Sequence, residues 1–553
     1  MFLETLIAAR DFGRVHEIAS ILIRYGFGDM VRRLGMVALV ERAGHALNWR
    51  EIDELTHLEP PERVRKVLEE MGPTFVKLGQ ILATRPDLFD EAWITEFEKL
   101  QDQAQPVPYA DILPQLTEDL GAPPEQVFAK FDPTPIAAAS IGQVHRARLI
   151  DGSEVVVKIR RPGIRATVES DLRLLENLAE MAGREIKALN RYQPEKIVRQ
   201  FALSLRRELD LAVEARNSER LRHNFQGYDD IIIPEIFWPW TSERVNVQRY
   251  VQGIPGHDLE ALNQAGLDRT KLAKVGADAV LKMMLIDGVF HADPHPGNCF
   301  FLPGNRIAFI DFGMIGRLSD NRRFQVIDLL HGLVNKEPEK VVRILLSWTE
   351  TPPDDEESLM IEVDQFIDRY HGVSLKNLHM GELLGNLTSL IRDHKINLPA
   401  DLSLLIKAFM TLEGLGRQLD PEFNLVVTAA PRLKTALLLR YHPETLGRKS
   451  LQSALELARI LIDLPKDVQR IVEDLRKGAI GVRLHVNRPD WLGAELDRVV
   501  NRLSVSLVTA AMIIGGSIVS TVEGGAGSFI GMIAFIGSLL GGLWLLLSIW
   551  RSG

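Results

Sequence analysis

The stretch His291-Ala292-Asp293-Pro294-His295-Pro296-Gly297-Asn298, followed thirteen residues after Asn298 by Asp311-Phe312-Gly313, decides how this 553-residue chain is read. Asp293 precedes Asn298 by five positions. Between Asn298 and Asp311 lie Phe300-Phe301-Leu302, the turn Pro303-Gly304-Asn305, and Ile307-Ala308-Phe309-Ile310, which reads as a β-hairpin ending in the second aspartate. That is the spacing of a phosphoryl-transfer site. One aspartate holds the attacking oxygen, while an asparagine and a second aspartate hold Mg²⁺ against triphosphate oxygens. Taken singly, Asp-Phe-Gly arises by chance, and two histidines near an aspartate suit a capped turn or zinc. The flanking hairpin favours the phosphoryl-transfer reading, with Asp293 as base and Asn298 and Asp311 as metal ligands.

A nucleotide-binding half is expected upstream. Val144 to Leu149 alternates into the turn Asp151-Gly152, and Glu154 to Ile159 returns through Lys158, the candidate to grip the α- and β-phosphates. The helical stretch Lys196 to Arg222 carries Glu208, Asp210 and Glu214 as possible partners for it. Asp210 and Glu214 share a helical face and Glu208 does not, so Glu214 is assigned to Lys158. Ile231 to Ile233 and Val245 to Val251 read as further strands, with Gln248 to Val251 where adenine would be met. Over the phosphates stands Ala137-Ala138-Ala139-Ser140-Ile141-Gly142, an alanine-rich loop rather than a glycine-rich one. Its Cβ atoms limit positive φ and predict a stiffer cradle. After Gly313 the chain reaches an amphipathic helix from about Asn321 with no Ala-Pro-Glu, which leaves little room for a peptide-docking segment.

A net charge of −9, without a basic aromatic patch, excludes a nucleic-acid binder. Cys299 is the one cysteine, so no internal disulfide forms, and its predicted strand makes it buried filler in a reducing, cytoplasm-facing protein. Ser504 to Thr521 and Ser528 to Trp550 carry no charge, and each approaches the roughly 20 residues that span a bilayer. Arg498, Arg502 and Arg551 outside the pair, against Glu523 between them, place both ends in the cytoplasm. Gly527, Gly531, Gly537 and Gly541 have the spacing of close-packed membrane helices, which would suit a homodimer. The acidic residues Glu4, Asp11 and Glu17 rule out a secretory signal, and Leu6, Ile18, Ile21, Leu22 and Ile23 predict helices packed on the main domain.

These features together resemble the UbiB-type (AarF) atypical protein-kinase-like family. The resemblance rests on Lys77-Leu78-Gly79-Gln80, Leu100-Gln101-Asp102, the alanine-rich loop, Glu208-Leu209-Asp210 with Glu214, His291 to Asn298 and Asp311 to Gly313, over roughly residues 15–440. It implies an α+β, bilobal protein-kinase-like fold with an N-terminal helical extension and a C-terminal transmembrane helical hairpin. The expected parts are a helical extension (1–74), a Lys-x-Gly-Gln segment (75–125), an N-lobe (126–255), a mostly helical C-lobe (256–445), a helical linker (446–503) and two spans (504–550). Lys77, Gly79 and Gln80 would occlude the peptide face, with Glu208 and Asp210 as their acidic partners. On a helix Lys77 and Gln80 share a face, and Gly79 lets that face approach another backbone. The implied activity is that of a membrane-anchored ATPase or small-molecule kinase at the bacterial inner membrane. It would use ATP and Mg²⁺ in ubiquinone biosynthesis, acting on or presenting a lipid precursor beside quinone-biosynthesis enzymes. The alternatives are a kinase acting in trans and a nucleotide-binding lipid scaffold without turnover.

Overall fold

The computed structural model describes residues 12–33, 57–100, 104–185, 193–348, 355–370, 380–396 and 398–440, with 510, 536 and 537 beyond them. All but the last three fall in one compact unit, residues 1–447. Apart from those three residues the two charge-free stretches lie outside the described residues, as do Gly527, Gly531, Gly541, Gln101 and Asp102. Among the described residues, no helix is long and apolar enough to cross a membrane.

Strands β1 (Phe128–Ala138), β2 (Gly142–Leu149), β3 (Glu154–Arg160) and β5 (Val245–Arg249) form an antiparallel sheet in the order β1-β2-β3-β5. Alternation decides its two faces. Val155, Val157, Ile159, Val245 and Val247 are buried against Ile112 and Leu116 of the helix Tyr109–Leu120. Val156 and Lys158 point the other way, into the cleft. Each such aliphatic burial is worth about 1.5–3 kcal/mol, so this helix is a fixed cover for the sheet although it lies in the segment assigned to the extension. The stretch Ile231–Ile233 supplies only the short β4 (Ile231–Ile232). It pairs in parallel with β9 (Arg306–Phe309), in a second sheet ordered β4-β9-β8-β6 with β8 (Cys299–Leu302) and β6 (Ile254–Pro255).

The helices Phe12–Arg24, Pro60–Met71, Pro73–Leu82 and Glu91–Glu98 share one apolar core with Ile164–Glu185 and Pro194–Glu208. Ile18, Ile21 and Leu22 are buried there, as packing on the main domain requires. Asp171, fully buried, ties the cluster together: it accepts from Thr74 Oγ1 at 2.6 Å and from Arg14 Nε at 2.7 Å. The expected boundary near residue 125 is therefore no boundary of packing, because two helices of the expected N-lobe complete the core of the extension.

The expected single helix Lys196 to Arg222 is two helices, Pro194–Glu208 and Leu211–Asn224. The break falls at Leu209-Asp210, where the Asp210 carboxylate accepts from Ala212 N at 3.0 Å as an N-cap. The larger, helical lobe has a separate core, with Phe290, Phe301, Phe309 and Phe312 fully buried.

Candidate active site

Two small sheets clamp the loop from His291 to Asn298. The β8–β9 hairpin pairs Cys299 with Phe309, and Ile310 N donates to Asn298 O at 2.9 Å. At the other end β7 (Val289–His291) pairs with β10 (Ile315–Arg317), His291 opposite Ile315. Asp311 is carried between them with φ of 59°, a left-handed conformation that a non-glycine residue adopts only where its surroundings fix it. His291 is buried. Its Nε2 lies 3.1 Å from Ile310 O and its Nδ1 accepts from Asp293 N at 3.2 Å. These partners fix a neutral ring protonated on Nε2, and burial holds its pKa below the ordinary histidine value.

The cleft between sheet and helical lobe encloses about 570 Å³, within the usual range for a bound small molecule. Its walls include Ala137, Ala139, Gly142, Lys158, Glu208, Glu214, Gln248, Val251, Asn298 and Asp311, with Lys77 from the extension. Lys158 Nζ donates to both oxygens of Glu214, at 3.0 and 2.8 Å, and stands 3.8 Å from Asp311. Burial disfavours the Lys158 ammonium, but Asp311, Glu214 and Glu208 outweigh it and raise its pKa. Burial pushes Glu214 up, with Asp311 adding and Lys158 opposing. Asp311 opens onto the cleft, and Lys158 above all holds its carboxyl down at about 2. The Asn298 amide donates to Asp293 O at 3.2 Å, which leaves its carbonyl oxygen for another partner. An ionised carboxylate and an amide oxygen on one wall are the hard donor set that suits Mg²⁺ completed by phosphate oxygens. The Cys299 thiol is pushed up to about 12 by burial and is inert.

The placements differ from the sequence reading in four respects. Ala137 and Ala138 end strand β1 instead of forming a loop, and Ala138 and the buried Ser140 do not line the cleft. The turn is held from below, where Ala139 N donates to Gly142 O at 2.8 Å and Arg161 Nε donates to Ala139 O at 2.8 Å. Glu208, not Asp210, meets the extension: Lys77 Nζ lies 2.6 Å from it, whereas Asp210 caps a helix and faces Arg216 at 3.5 Å. The helix break turns Glu208 into the cleft. Gly79 admits side chains, since a Cβ there would lie 2.1 Å from Leu100 Cδ1 and 2.9 Å from Leu68 Cδ1. Gln80 Nε2 donates to Leu100 O at 3.1 Å, so both residues seat the helix Pro73–Leu82 on Leu100.

Asp293 lies outside the cavity walls, 3.5 Å from Lys407 Nζ of the helix Ala400–Leu419 and 3.9 Å from His295 Nε2. Sequence reasoning missed Lys407, and no local signal marks it: it is one lysine in an amphipathic helix far from the loop. Asn217 was also missed. It donates to Phe312 O at 3.1 Å and lies one turn after Glu214, a spacing that could have found it. Gly142, at the end of the alanine-rich stretch, lets the turn sit against β3 backbone, since a Cβ there would lie 2.8 Å from Ile159 O.

Comparison with known proteins shows the family. Family models match an ABC1 atypical kinase-like domain over residues 99–345, a UbiB helical domain over 363–424 and an ABC1/UbiB kinase-like C-terminal domain over 487–551. A protein of Synechocystis is 32% identical over 82% of this chain and 79% of its own length. The probable protein kinase UbiB of Pseudomonas paraeruginosa is 34% identical over 87% of this chain and 92% of its own, and that of Aliivibrio fischeri is 31% identical over 85% and 87%. With the paired Lys158 and Glu214, the clamped loop and the mixed helix-and-strand fold now in place, the chain belongs to the UbiB/ABC1 atypical kinase-like family.

Proposed function

We propose that this chain is a membrane-anchored, Mg·ATP-dependent ATPase or small-molecule kinase that supports ubiquinone biosynthesis by acting on or presenting a quinone-precursor lipid. The observation that carries the reading is the convergence of Lys158, Glu214, Asn298 and Asp311 on one cleft, with the backbone of Asp293 bonded to the Asn298 side chain. Lys158, steadied by Glu214, binds phosphate oxygens. Asn298 and Asp311 would hold Mg²⁺, which supplies neutralisation of charge on the phosphates. Asp293, its backbone fixed by His291, takes the proton of the attacking water or hydroxyl.

The short connection from Gly313 to the helix Asp320–Val334 supports a small acceptor over a peptide. So does the extension, whose Pro86 and Phe89 carbonyls accept from Arg392 of the larger lobe at 3.2 and 3.4 Å. The lipid, the quinone-biosynthesis partners and the anchor at 504–550 come from family membership and the charge-free stretches.

The deciding experiment is phosphate release by purified full-length protein, with and without anionic vesicles and phenolic lipid analogues. Stimulated release supports the proposal. Nucleotide binding without release supports a scaffold, and recovery of the full-length protein wholly in the soluble fraction refutes the anchor.

A further inference from the structure

Phosphoryl transfer gathers negative charge on the transferred group, so the acceptor end of the cleft needs a cation aimed at it. The cations on the nucleotide side are engaged: Lys158 is held by both oxygens of Glu214, and Lys77 by Glu208. On the loop itself His295 is engaged elsewhere: its Nδ1 accepts the Gly297 amide at 3.0 Å, and its Nε2 stands 3.9 Å from Asp293, farther than Lys407. Lys407 is different. Its ammonium stands 3.5 Å from Asp293 Oδ1 and it is only partly exposed.

Its position is also rigid. Ile406 and Ala408 on either side are buried in the core of the larger lobe. Further along the same helix, Leu412, Leu415 and Gly416 share an apolar cavity with Pro294, the residue after Asp293. The helix that carries Lys407 thus also packs the catalytic loop. Glu98 of the helix Glu91–Glu98 feels both groups: burial raises its pKa, Lys407 lowers it and Asp293 raises it.

We propose that Lys407 is a catalytic residue: it orients the Asp293 carboxylate, 3.5 Å away, and it contacts the transferring phosphoryl group. The inference rests on the reading of Asp293 as the base. In the step, the attacking water passes a proton to Asp293 as its oxygen bonds to the γ-phosphorus. The bond from that phosphorus to the bridging oxygen breaks, and its electron pair leaves with ADP. Lys407 stays protonated throughout. A helix matched to the UbiB helical domain would then complete the active site rather than merely support it.

The test is ATP hydrolysis by the full-length protein, comparing wild type with Lys407→Met and Lys407→Arg. In Lys407→Met phosphate release should fall about a hundredfold or more, the scale seen when one charge-stabilising donor is lost. The Mg·ATP concentration giving half-maximal thermal stabilisation should stay within about threefold. Lys407→Arg should recover at least about a tenth of the rate. Turnover of Lys407→Met within about threefold of wild type, or faster than it, overturns the proposal. So does a rate loss that arginine does not restore and that accompanies a lower melting point without nucleotide. Wild type that hydrolyses nothing overturns the base reading as well, whereas wild type that turns over beside an unimpaired variant overturns only the role of Lys407.

Discussion

Removing the Glu214 carboxylate should cripple the proposed metal site from a distance. Glu214 takes two hydrogen bonds from Lys158, while the Asp311 carboxylate stands 3.8 Å from the same ammonium. In Glu214→Ala the lysine remains, and Asp311 is the anion best placed to capture it. At that separation and an effective dielectric constant of about 20, the attraction is about 4 kcal/mol. The Asp311 side chain is 48% exposed, and screening reduces the figure to about 1–2 kcal/mol. Mg²⁺ must overcome that contact, so the Mg·ATP concentration for half-maximal thermal stabilisation should rise about tenfold, the change that about 1.4 kcal/mol produces. Folding should suffer as well. Orphaning one member of a buried pair costs about 3–5 kcal/mol, here nearer about 2–3 because Asp311 and Glu208 remain close to Lys158. Thermal-shift titration of the full-length protein reads both effects. In an Asp311→Asn background, Glu214→Ala should add little to the loss of Mg·ATP response, since the competing anion is gone. A Glu214→Ala protein that melts like wild type and answers to Mg·ATP at wild-type concentrations would refute the reasoning.

Three further outcomes are expected. Asp311→Asn should abolish the stabilisation by Mg·ATP while leaving the apo melting point within a few degrees, and a wild-type concentration dependence would remove Asp311 from the metal site. Gly79→Ala drives a Cβ to within 2.1 Å of Leu100 Cδ1; overpacking of about 1–3 kcal/mol exceeds the helical gain of about 0.5–1, so the melting point should fall, and an unchanged one refutes the close fit. His291 has its pKa depressed by burial from the ordinary 6.5. Below about pH 6.5 the unfolded chain therefore takes up a proton that the folded protein refuses, and stability drops as pH falls. Between pH 7.5 and 5.5 His291→Gln should lose less of its melting temperature than wild type, and equal losses would contradict a buried neutral ring.

How much of this was legible in the sequence depends on how local the cause is. The hairpin that carries Asp311 reads directly, because Phe300 to Ile310 combines two apolar runs with Pro303-Gly304-Asn305 between them, and pairing follows from the turn. Lys158 opposite Glu214 reads nearly as well. A strand lysine on the polar face of an alternating run and a carboxylate on an amphipathic helix have few other places to go. The break at Asp210 was invisible to periodicity, since the stretch from Lys196 to Arg222 holds neither glycine nor proline. Its one signal was an aspartate ready to cap, and a cap needs only one residue where a helix shows many. Strand β1 was hidden for the opposite reason. Pro133 and Pro135 argue against a strand, yet β1 is an edge strand with shifted register in that stretch, where prolines are tolerated.

The remaining part, the partnership of distant segments, has its cause in packing that no window of sequence contains. Lys77 reaches Glu208 because Gly79 lets its helix settle on Leu68 and Leu100, and because Asp171 ties Thr74 and Arg14 to the helix Ile164–Glu185. Lys407 reaches Asp293 because the apolar face of its own helix is buried against the loop it serves. In both cases a lysine is delivered to a carboxylate by a hydrophobic seat several residues away. The apolar residues set the distance, and the charge only reports it. That ordering explains why the sequence names the nucleotide side of the cleft but not its acceptor side. Lys158, Asn298 and Asp311 sit on strands and on a loop whose geometry is local, whereas Glu98 and Lys407 are brought in by two separate helices. Substitutions in those seats, with every charged group intact, should therefore disturb the acceptor side before they disturb nucleotide binding.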